Sequence, residues 1–239
     1  MTEQQIADNF EKVRTEIAEA EQKSGRAAGS VRLCAVSKFH PAQDVIAAMH
    51  AGQVLFGENR VQEAYDKFGL VREAVQTQPQ LHIIGSLQTN KVKKAVSISS
   101  CIQSVDREPL LAEIERQCAR IGKTIEIFFE IHTGEDTKSG YTDTDELFAS
   151  AEHCASGMYP HIVPRGLMTM APFTREEKPV REAFSSVRKL KEELGVRFPS
   201  LRIQELSMGM SQDFAIAVEE GSTMVRIGTA LFGERPAAL

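Results

Sequence analysis

Residues 31–41 have the sequence VRLCAVSKFHP, in which a short apolar run leads directly into a lysine. The run up to Val36 predicts a β-strand that is buried on both faces. At the end of such a strand the stem of Lys38 lies in apolar surroundings, and desolvation makes its amine easier to deprotonate. Lys38 is therefore a candidate Schiff-base nucleophile. For Lys38 alone, a lysine that ends a strand and reaches out to solvent is the commoner explanation.

Further strand patterns follow along the chain, and they alternate with helical patterns. The predicted strands lie at about residues 31–37, 54–57, 81–84, 101–105, 124–131, 166–169, 203–206 and 223–227. An additional amphipathic helix precedes them, as the helical spacing of four apolar residues indicates: Ile6, Phe10, Val13 and Ile17. Strict alternation predicts parallel strands joined by right-handed crossovers. Eight such units in 239 residues predict an α/β fold, a closed (β/α)8 TIM barrel, as one domain over residues 1–239.

A doubly wound open sheet is the alternative architecture. It would carry a glycine-rich phosphate loop after its first strand, where this chain has residues 37–40 without a glycine. No low-complexity or linker-like stretch divides the chain. Because Pro236 closely follows Gly233, the last helix is predicted to be short or missing.

Composition and charge argue against several classes of partner. The net charge is −5 with acids and bases interspersed, so nucleic acid is not an expected partner. No apolar run approaches the roughly 20 residues that cross a bilayer, and residues 1–9 are polar, so neither a membrane span nor a signal peptide is expected. Four cysteines without CxxC spacing predict buried free thiols in a reducing cytoplasm: Cys34, Cys101, Cys118 and Cys154.

In a β/α barrel the residues that follow the strands meet at one mouth, where chemistry takes place. That set is Lys38, Glu58, Asn59, Gly85, Ser86, His132, Met168, Thr169, Met170, Ser207, Gly209, Ser211, Arg226, Gly228 and Thr229. It contains an amine, hydroxyls, an amide and a guanidinium among glycines. It contains no HExxH motif, no metal-type His/Cys spacing and nothing like a Ser-His-Asp set, so no metal is expected.

The two last strand ends suggest an anion cradle. Residues 207–211 (SMGMS) follow the seventh strand and are predicted to open a helix, where backbone N–H groups and small side chains suit an anion. A simple N-cap role for Ser211 is about as well supported. Gly228 and Thr229 lie in the last barrel loop, where such folds often hold phosphate. For Arg226 the alternative is an ion pair with a nearby carboxylate.

An amine after the first strand and an anion cradle after the last two suit pyridoxal 5'-phosphate (PLP). Its aldehyde would meet Lys38, and its phosphate, of charge about −1.5 to −2, would lie on the cradle. Arg226 near the ring nitrogen would oppose protonation of that nitrogen. An unprotonated pyridine is a weaker electron sink than a pyridinium paired with aspartate.

Seven ordered motifs resemble one known family. They are AVSK at 35–38, FGEN at 56–59 with VQE at 61–63, HIIG at 82–85 with LQ and NK at 87–91, KSG at 138–140, RGLM at 165–168, and the segments 206–211 and 225–233. Over about residues 31–235 the chain resembles the pyridoxal phosphate homeostasis proteins. The fold of that family is similar to the N-terminal barrel of alanine racemase, a fold-type III PLP barrel.

The resemblance implies specific roles for residues at the mouth. It implies that Lys38 forms the Schiff base with PLP and that Arg226 faces the pyridine nitrogen. The phosphate ligands that it implies are Ser207 or Ser211, with Gly228 and Thr229, and the residues lining the ring are Asn59, His82 and Met168. The chain departs from the family at Arg60, where tyrosine is frequent, and at His132, where asparagine is usual.

Three functions compete at this stage. The resemblance implies a PLP carrier or buffer that contributes to intracellular PLP and amino- and keto-acid balance, with apo-enzymes as candidate recipients. The alternative is a fold-type III amino-acid racemase or decarboxylase. That enzyme needs a second base and a C-terminal β domain, which this chain, ending at Leu239, is expected to lack, and its three tyrosines match no motif for that base. The carrier, not an enzyme and expected to be a monomer, is therefore preferred. The third function is a metabolite-binding barrel that uses no PLP. It would require the match of Lys38 and residues 207–229 to a PLP site to be a coincidence.

Overall fold

Eight parallel strands form a closed barrel at the centre of the fold. The computed structural model describes residues 1–134 and 139–234. The strands are β1 (Arg32–Val36), β2 (Leu55–Glu58), β3 (Gln80–Ile83), β4 (Cys101–Val105), β5 (Ile125–Ile131), β6 (Ile162–Thr169), β7 (Glu205–Ser207) and β8 (Met224–Ile227). Each pairs with its neighbours in the chain, and β8 pairs with β1 to close the barrel. The predicted (β/α)8 barrel is confirmed, and the open-sheet alternative is wrong.

Helices alternate with the strands and surround the barrel. They are α1 (Glu3–Lys23), α2 (Ala42–His50), α3 (Val61–Ala74), α4 (Val92–Ile98), α5 (Glu108–Ile121), α6 (Thr144–Ala155), α7 (Glu177–Arg197), α8 (Phe214–Glu219) and α9 (Thr229–Phe232). Short 3₁₀ turns occur at Thr89–Lys91 and Pro199–Leu201. Most bounds of the strands lie within two or three residues of those predicted from the sequence. No described helix is both long and apolar enough to pass through a bilayer.

The additional helix α1 lies in the outer layer beside the short last helix, α9. The predicted short last helix is confirmed, since α9 is a single turn. Helix α1 packs against α2, α8 and α9. The Phe10 ring meets the Phe232 ring edge-on, with centroids 5.8 Å apart, and Asn9 Nδ2 donates to Leu231 O at 3.0 Å. The apolar stripe that predicted α1 therefore packs against neighbouring helices of the outer layer, α9 among them.

Strand β6 is longer than predicted because a bulge accommodates its proline. Ile127 of β5 pairs with Pro164, and the next residue, Phe128, pairs with Gly166, so Arg165 has no opposite partner. Such a bulge lets a strand continue past a residue that lacks an N–H. Gly166 also permits close contact with β7, since a Cβ there would lie 2.0 Å from the backbone oxygen of Glu205.

The apolar core has two parts. A small cluster fills the barrel interior: Cys34, Leu55, Cys101, Phe128, Met168 and Met224. A larger one lies between the strands and the helices. The cysteines are free, and three of them are buried as predicted, whereas Cys154 is only half-buried. The interior cluster is small because the upper part of the barrel is occupied by polar side chains.

Two glycine substitutions test the close approach of β6 and β7. Gly166→Ala should lower the free energy of unfolding by about 1–3 kcal/mol or more, because backbone must move to admit the methyl group. The control is Gly69→Ala in α3, where a Cβ meets nothing within 4 Å. There, alanine should stabilise the protein by up to about 1 kcal/mol. Urea unfolding of both variants provides the measurement, and equal effects would contradict this account of Gly166.

Candidate functional site

Closure of the barrel brings the loops after β7, β8 and β1 side by side at the mouth. Cys34 of β1 pairs with Arg226 of β8. The Arg226 N–H donates to Gly209 O after β7 at 2.9 Å. A Cβ on Gly228 would lie 3.1 Å from Val36 O at the end of β1. The turn that carries Lys38 therefore directly adjoins the rim segment that follows β8.

Lys38 is half-buried and follows a fully buried serine. The Ser37 hydroxyl donates to Glu58 Oε1 at 2.6 Å, and Lys67 Nζ donates to the same oxygen at 2.9 Å. Burial raises the pKa of the Glu58 carboxyl, and the charge of Lys67 partly offsets that rise. These polar groups bind one another and so support the turn that carries Lys38.

Arg226 is buried in the upper barrel, and its hydrogen-bond acceptors among the described residues are neutral. Its Nη1 donates to Ser207 O at 2.5 Å and to Ser207 Oγ at 2.9 Å, and its Nη2 donates to Thr169 O at 2.7 Å. These bonds use three of the five N–H donors of a guanidinium. Burial lowers the pKa of Arg226, but an arginine keeps its charge. Within the described ranges no carboxylate forms an ion pair with it, so two donors of a buried cation remain for a ligand.

A chain of side chains holds that guanidinium in place. The Ser207 hydroxyl donates to Gln103 Oε1 at 2.6 Å, and Gln103 Nε2 lies 2.8 Å from His82 Nδ1. Burial lowers the pKa of His82 to about 3, so its ring is neutral at neutral pH and Nδ1 accepts from the amide. Because each member has a partner, the Arg226 side chain has little freedom to move.

His82 occupies the lower part of the barrel interior. It reaches Arg226 only through Gln103 and Ser207, and it borders a groove at the opposite, N-terminal end of the barrel together with Gln80 and Ser100. The structure therefore places His82 as a support of the Arg226 guanidinium. Direct contact of His82 with a ligand at the mouth stays a prediction.

A second buried charged group, Glu130, faces the site from β5. Its Oε1 accepts from Ser139 Oγ at 2.9 Å, whereas its Oε2 is buried without a partner among the described residues. Burial raises the pKa of Glu130 to about 7, although the Ser139 hydrogen bond and the charge of Arg226 lower it. Near neutral pH this carboxyl is therefore part-protonated, unlike an ordinary glutamate.

The segment after β7 differs from its prediction. Helix α8 begins at Phe214 with Asp213 at the N-cap position, so the expectation that Ser211 opens the helix is wrong. Instead, Asp213 Oδ1 accepts from Met210 N at 2.6 Å in a tight turn. Gly209 has a φ of +99°, and a Cβ there would lie 2.6 Å from the Ala217 methyl. Only glycine allows the chain to double back here, which keeps the rim segment low against the barrel.

The other predicted site residues lie at different depths. Asn59 is half-buried after β2, and a Cβ on Gly85 would lie 2.7 Å from its Cα, so glycine lets these two strand ends meet. Met168 is fully buried in the interior cluster. Thr229 is exposed at the start of α9, beside half-buried Gly228. Lys138 of the KSG motif lies outside the described residues.

Several residues of the site were not found from the sequence. Gln103 and Glu130 left a usable signal, because each is a polar residue at an inward position within an otherwise apolar strand, CIQSV and IFFEI. Lys67 left none, since charged residues on an amphipathic helix are ordinarily solvated. Glu63 belongs to the VQE motif at 61–63, but that motif did not indicate a contact with the β1 turn. Their contacts with the β1 turn become visible only in the folded chain.

Comparison with known proteins places the chain among relatives of near-equal length. Residues 4–236 match the family model described as alanine racemase, N-terminal domain. The pyridoxal phosphate homeostasis protein of Vibrio cholerae is 38% identical over 235 residues, covering 96% of each chain. PipY of Synechococcus elongatus, solved with PLP bound, has a TM-score of 0.84 at 35% identity, covering 95% of this chain and 100% of PipY.

A more distant likeness shows the fold alone. The alanine racemase of Corynebacterium glutamicum has a TM-score of 0.67 at 19% identity, covering 99% of this chain and 62% of the racemase. The resemblance found from the seven motifs is confirmed by the comparisons at 35% identity and above.

Glu130 should make stability depend on pH in a predictable direction. Its folded pKa of about 7 exceeds the unfolded value, so the folded state binds more protons and loses stability as pH rises through that interval. The loss attributable to Glu130 is roughly 3 kcal/mol between pH 4.5 and 8. Glu130→Gln should remove it, whereas Glu152→Gln on the exposed face of α6 should not. Urea unfolding at both pH values tests this, and equal pH dependence in all three proteins would contradict it.

Proposed function

The chain belongs to the alanine racemase N-terminal domain family and, within it, to the pyridoxal phosphate homeostasis proteins, and on that premise we propose that it binds PLP through Lys38. It acts as a carrier or buffer of that cofactor and contributes to intracellular PLP and amino- and keto-acid balance. The observation that carries the proposal is the adjacency of Lys38 to the rim after β8, with the buried Arg226 guanidinium lower in the same mouth.

The shape of PLP fits this arrangement. Its aldehyde and phosphate arm are attached to neighbouring ring carbons, while the ring nitrogen lies opposite the aldehyde. In the barrel, Lys38 and Gly228 follow the neighbouring strands β1 and β8, which favours binding of the aldehyde and the phosphate side by side. Arg226 lies deeper and keeps two donors for the opposite side of the ring.

The other residues around the mouth are proposed to have different roles in binding PLP. The Ser207 hydroxyl already donates to Gln103 and accepts from Arg226, so it serves to orient the guanidinium. Ser211, Gly228 and Thr229 are therefore the proposed phosphate ligands. Asn59 and Met168 are proposed to flank the ring.

The electrostatics of the site favour holding PLP over amino-acid chemistry. When bound, PLP supplies an aldehyde that condenses reversibly with a lysine amine. A fixed cation at Arg226 opposes protonation of the ring nitrogen and so weakens the ring as an electron sink. A reversible bond in a weakly activating site suits storage and release, and the proposed recipients are apo-enzymes that use the same cofactor. We propose that the carrier acts as a monomer.

The positions of the tyrosines weigh against a two-base racemase. The side chains of all three have partners that are not residues of the mouth: Tyr65 on α3 lies under Lys94, Tyr141 contacts Ser150, and Tyr159 donates to Glu108. A racemase of this type needs a base on the second face of the ring. The carrier role without racemisation is therefore the function that we propose.

Reduction with borohydride tests the central bond. Wild-type protein incubated with PLP should absorb visible light and, after reduction, carry the cofactor on the peptide that contains Lys38. Lys38→Ala should lose nearly all of this adduct, because among the described residues no other amine is placed at the mouth in the same way. Lys94→Ala, on the outer face of α4, should keep it. An adduct at unchanged occupancy in Lys38→Ala would refute the assignment, and sustained racemisation of L-alanine would refute the carrier role.

The phosphate assignment predicts a difference between two forms of the vitamin. Thr229→Val should weaken binding of PLP by about tenfold, since a hydrogen bond to a charged group contributes about 1.5 kcal/mol. Binding of unphosphorylated pyridoxal should change little, because it lacks the group that Thr229 contacts. Absorbance titrations of both compounds give the comparison. Equal losses for both would remove Thr229 from the phosphate site.

A further inference from the structure

Both backbone neighbours of Lys38 are tied to charged side chains of α3. On one side, Lys67 Nζ donates to Ser37 O at 2.7 Å. On the other, the Phe39 N–H donates to Glu63 Oε1 at 2.5 Å. Glu63 and Lys67 are one helical turn apart and bind each other, with Nζ and Oε1 separated by 2.9 Å. Together they enclose the residue that carries the reactive amine.

The hydrogen bonds of Lys67 are complete. Besides Ser37 O and Glu63 Oε1, its Nζ donates to Glu58 Oε1 at 2.9 Å. An ammonium has three N–H donors, so each has an oxygen acceptor. Lys67 is 7% exposed and Glu58 is 0% exposed. A buried cation with all its donors used is costly to remove, which makes the arrangement rigid.

Phe39 adopts a backbone conformation that most residues avoid. Its φ is 69°, in the left-handed region, where a Cβ is unfavourable. Such a conformation persists only where the surroundings enforce it, and such residues cluster at functional sites. Here the hydrogen bond to Glu63 fixes the peptide that follows Lys38. Without that acceptor the turn keeps the hydrogen bond from His40 N to Ser37 O at 3.1 Å but loses the one that fixes the Phe39 N–H, and the position of Lys38 would change with it.

The same contacts bear on which lysine reacts. Lys67 Nζ lies next to the backbone of the turn that carries Lys38, so two lysine side chains are close to the same short segment. Attack on an aldehyde needs an amine with a free lone pair. The amine of Lys67 is almost fully buried, and its three hydrogens are donated to oxygens. That geometry withholds it from reaction.

We propose that Glu63 and Lys67 are positioning residues that clamp the backbone on both sides of Lys38 and reserve adduct formation for the Lys38 amine. The inference deepens the proposed function and rests on it. It assigns a role in cofactor loading to two side chains of α3 that do not themselves touch the ligand.

Three variants on one turn of α3 test the clamp. Glu63→Ala removes the acceptor shared by Phe39 and Lys67. Glu63→Gln keeps an oxygen at that position and serves as the conservative rescue. Gln62→Ala is the matched control, since Gln62 is exposed and its side-chain partners in the described part of the chain are Asp66 and Lys94. Wild-type protein is carried through every measurement.

The first measurements use protein without cofactor. In Glu63→Ala, hydrogen exchange at the Phe39 amide should quicken by at least about tenfold. Lys67 should become reactive toward trinitrobenzenesulfonate, an amine-specific probe, as located by peptide mapping. Both readouts should stay near wild type in Glu63→Gln and Gln62→Ala. Thermal unfolding of each variant separates these local effects from a general loss of stability.

The second measurement is the rate at which added PLP forms a borohydride-reducible adduct. Glu63→Ala should form it on Lys38 at least about tenfold more slowly, because a misplaced nucleophile reacts slowly. Part of its adduct should appear on Lys67. Gln62→Ala should stay within about twofold of wild type. Should Glu63→Ala fail to fold, Lys67→Arg, which keeps the charge but changes the donor geometry, decides the question by exchange of the Phe39 amide and by the rate of adduct formation on Lys38.

The outcomes separate the two proposals. If wild type forms no adduct on Lys38, the proposed function fails. If wild type forms it and Glu63→Ala matches the Gln62→Ala control in rate and in Lys67 labelling, the clamp is overturned and the proposed function stands. For Lys67→Arg in its place, the same conclusion follows if it matches that control in rate and in exchange of the Phe39 amide.

Discussion

Pairing of β8 with β1 is the interaction on which the site depends. It joins the first strand of the chain to the last and so closes the barrel. Neighbouring strands lie about 4.8 Å apart, so their following residues, Lys38 and Gly228, become neighbours at the rim. The close fit of Gly228 against Val36 O shows how tightly this seam is built. An open sheet made of the same strands would leave the amine and the proposed phosphate loop on separate edges.

Closure also creates an interior in which polar groups must find partners. Arg226 is held by Ser207 and Thr169, Ser207 is held by Gln103, and Gln103 in turn contacts His82. An unpaired buried polar group costs about 1–3 kcal/mol, so a linked chain of this kind fixes one arrangement of the guanidinium. Glu130 departs from this pattern, because its Oε2 has no partner among the described residues. Burial raises the pKa of Glu130, and its hydrogen bond with Ser139 offsets only part of that rise.

A site that holds a reactive aldehyde needs control over geometry more than strong activation. Arg226 at the ring nitrogen would restrain the electron-withdrawing power of PLP. The clamp formed by Glu63 and Lys67 would hold the Lys38 backbone and keep a second lysine from competing. Both features act through neighbours of the reactive atoms, and both are compatible with a bond that forms and breaks reversibly. Both proposed features would suit reversible binding of the cofactor.

The sequence by itself determined the barrel and the additional helix, and it identified Lys38 and the other residues that follow the strands as candidates for the site. It could do so because hydrophobic periodicity and the position of a residue along a strand are local properties. The family followed from motifs of the same kind. Tertiary structure alone decided the bulge at Pro164, the start of α8 at Phe214 and the lower position of His82. It also decided the partners of Glu63, Lys67 and Arg226, since hydrogen bonds between distant segments follow from how strands and helices pack around a closed barrel. The signals of Gln103 and Glu130 lay between these cases, visible as polar residues in apolar strands but without an assignable role until the barrel brought their partners together.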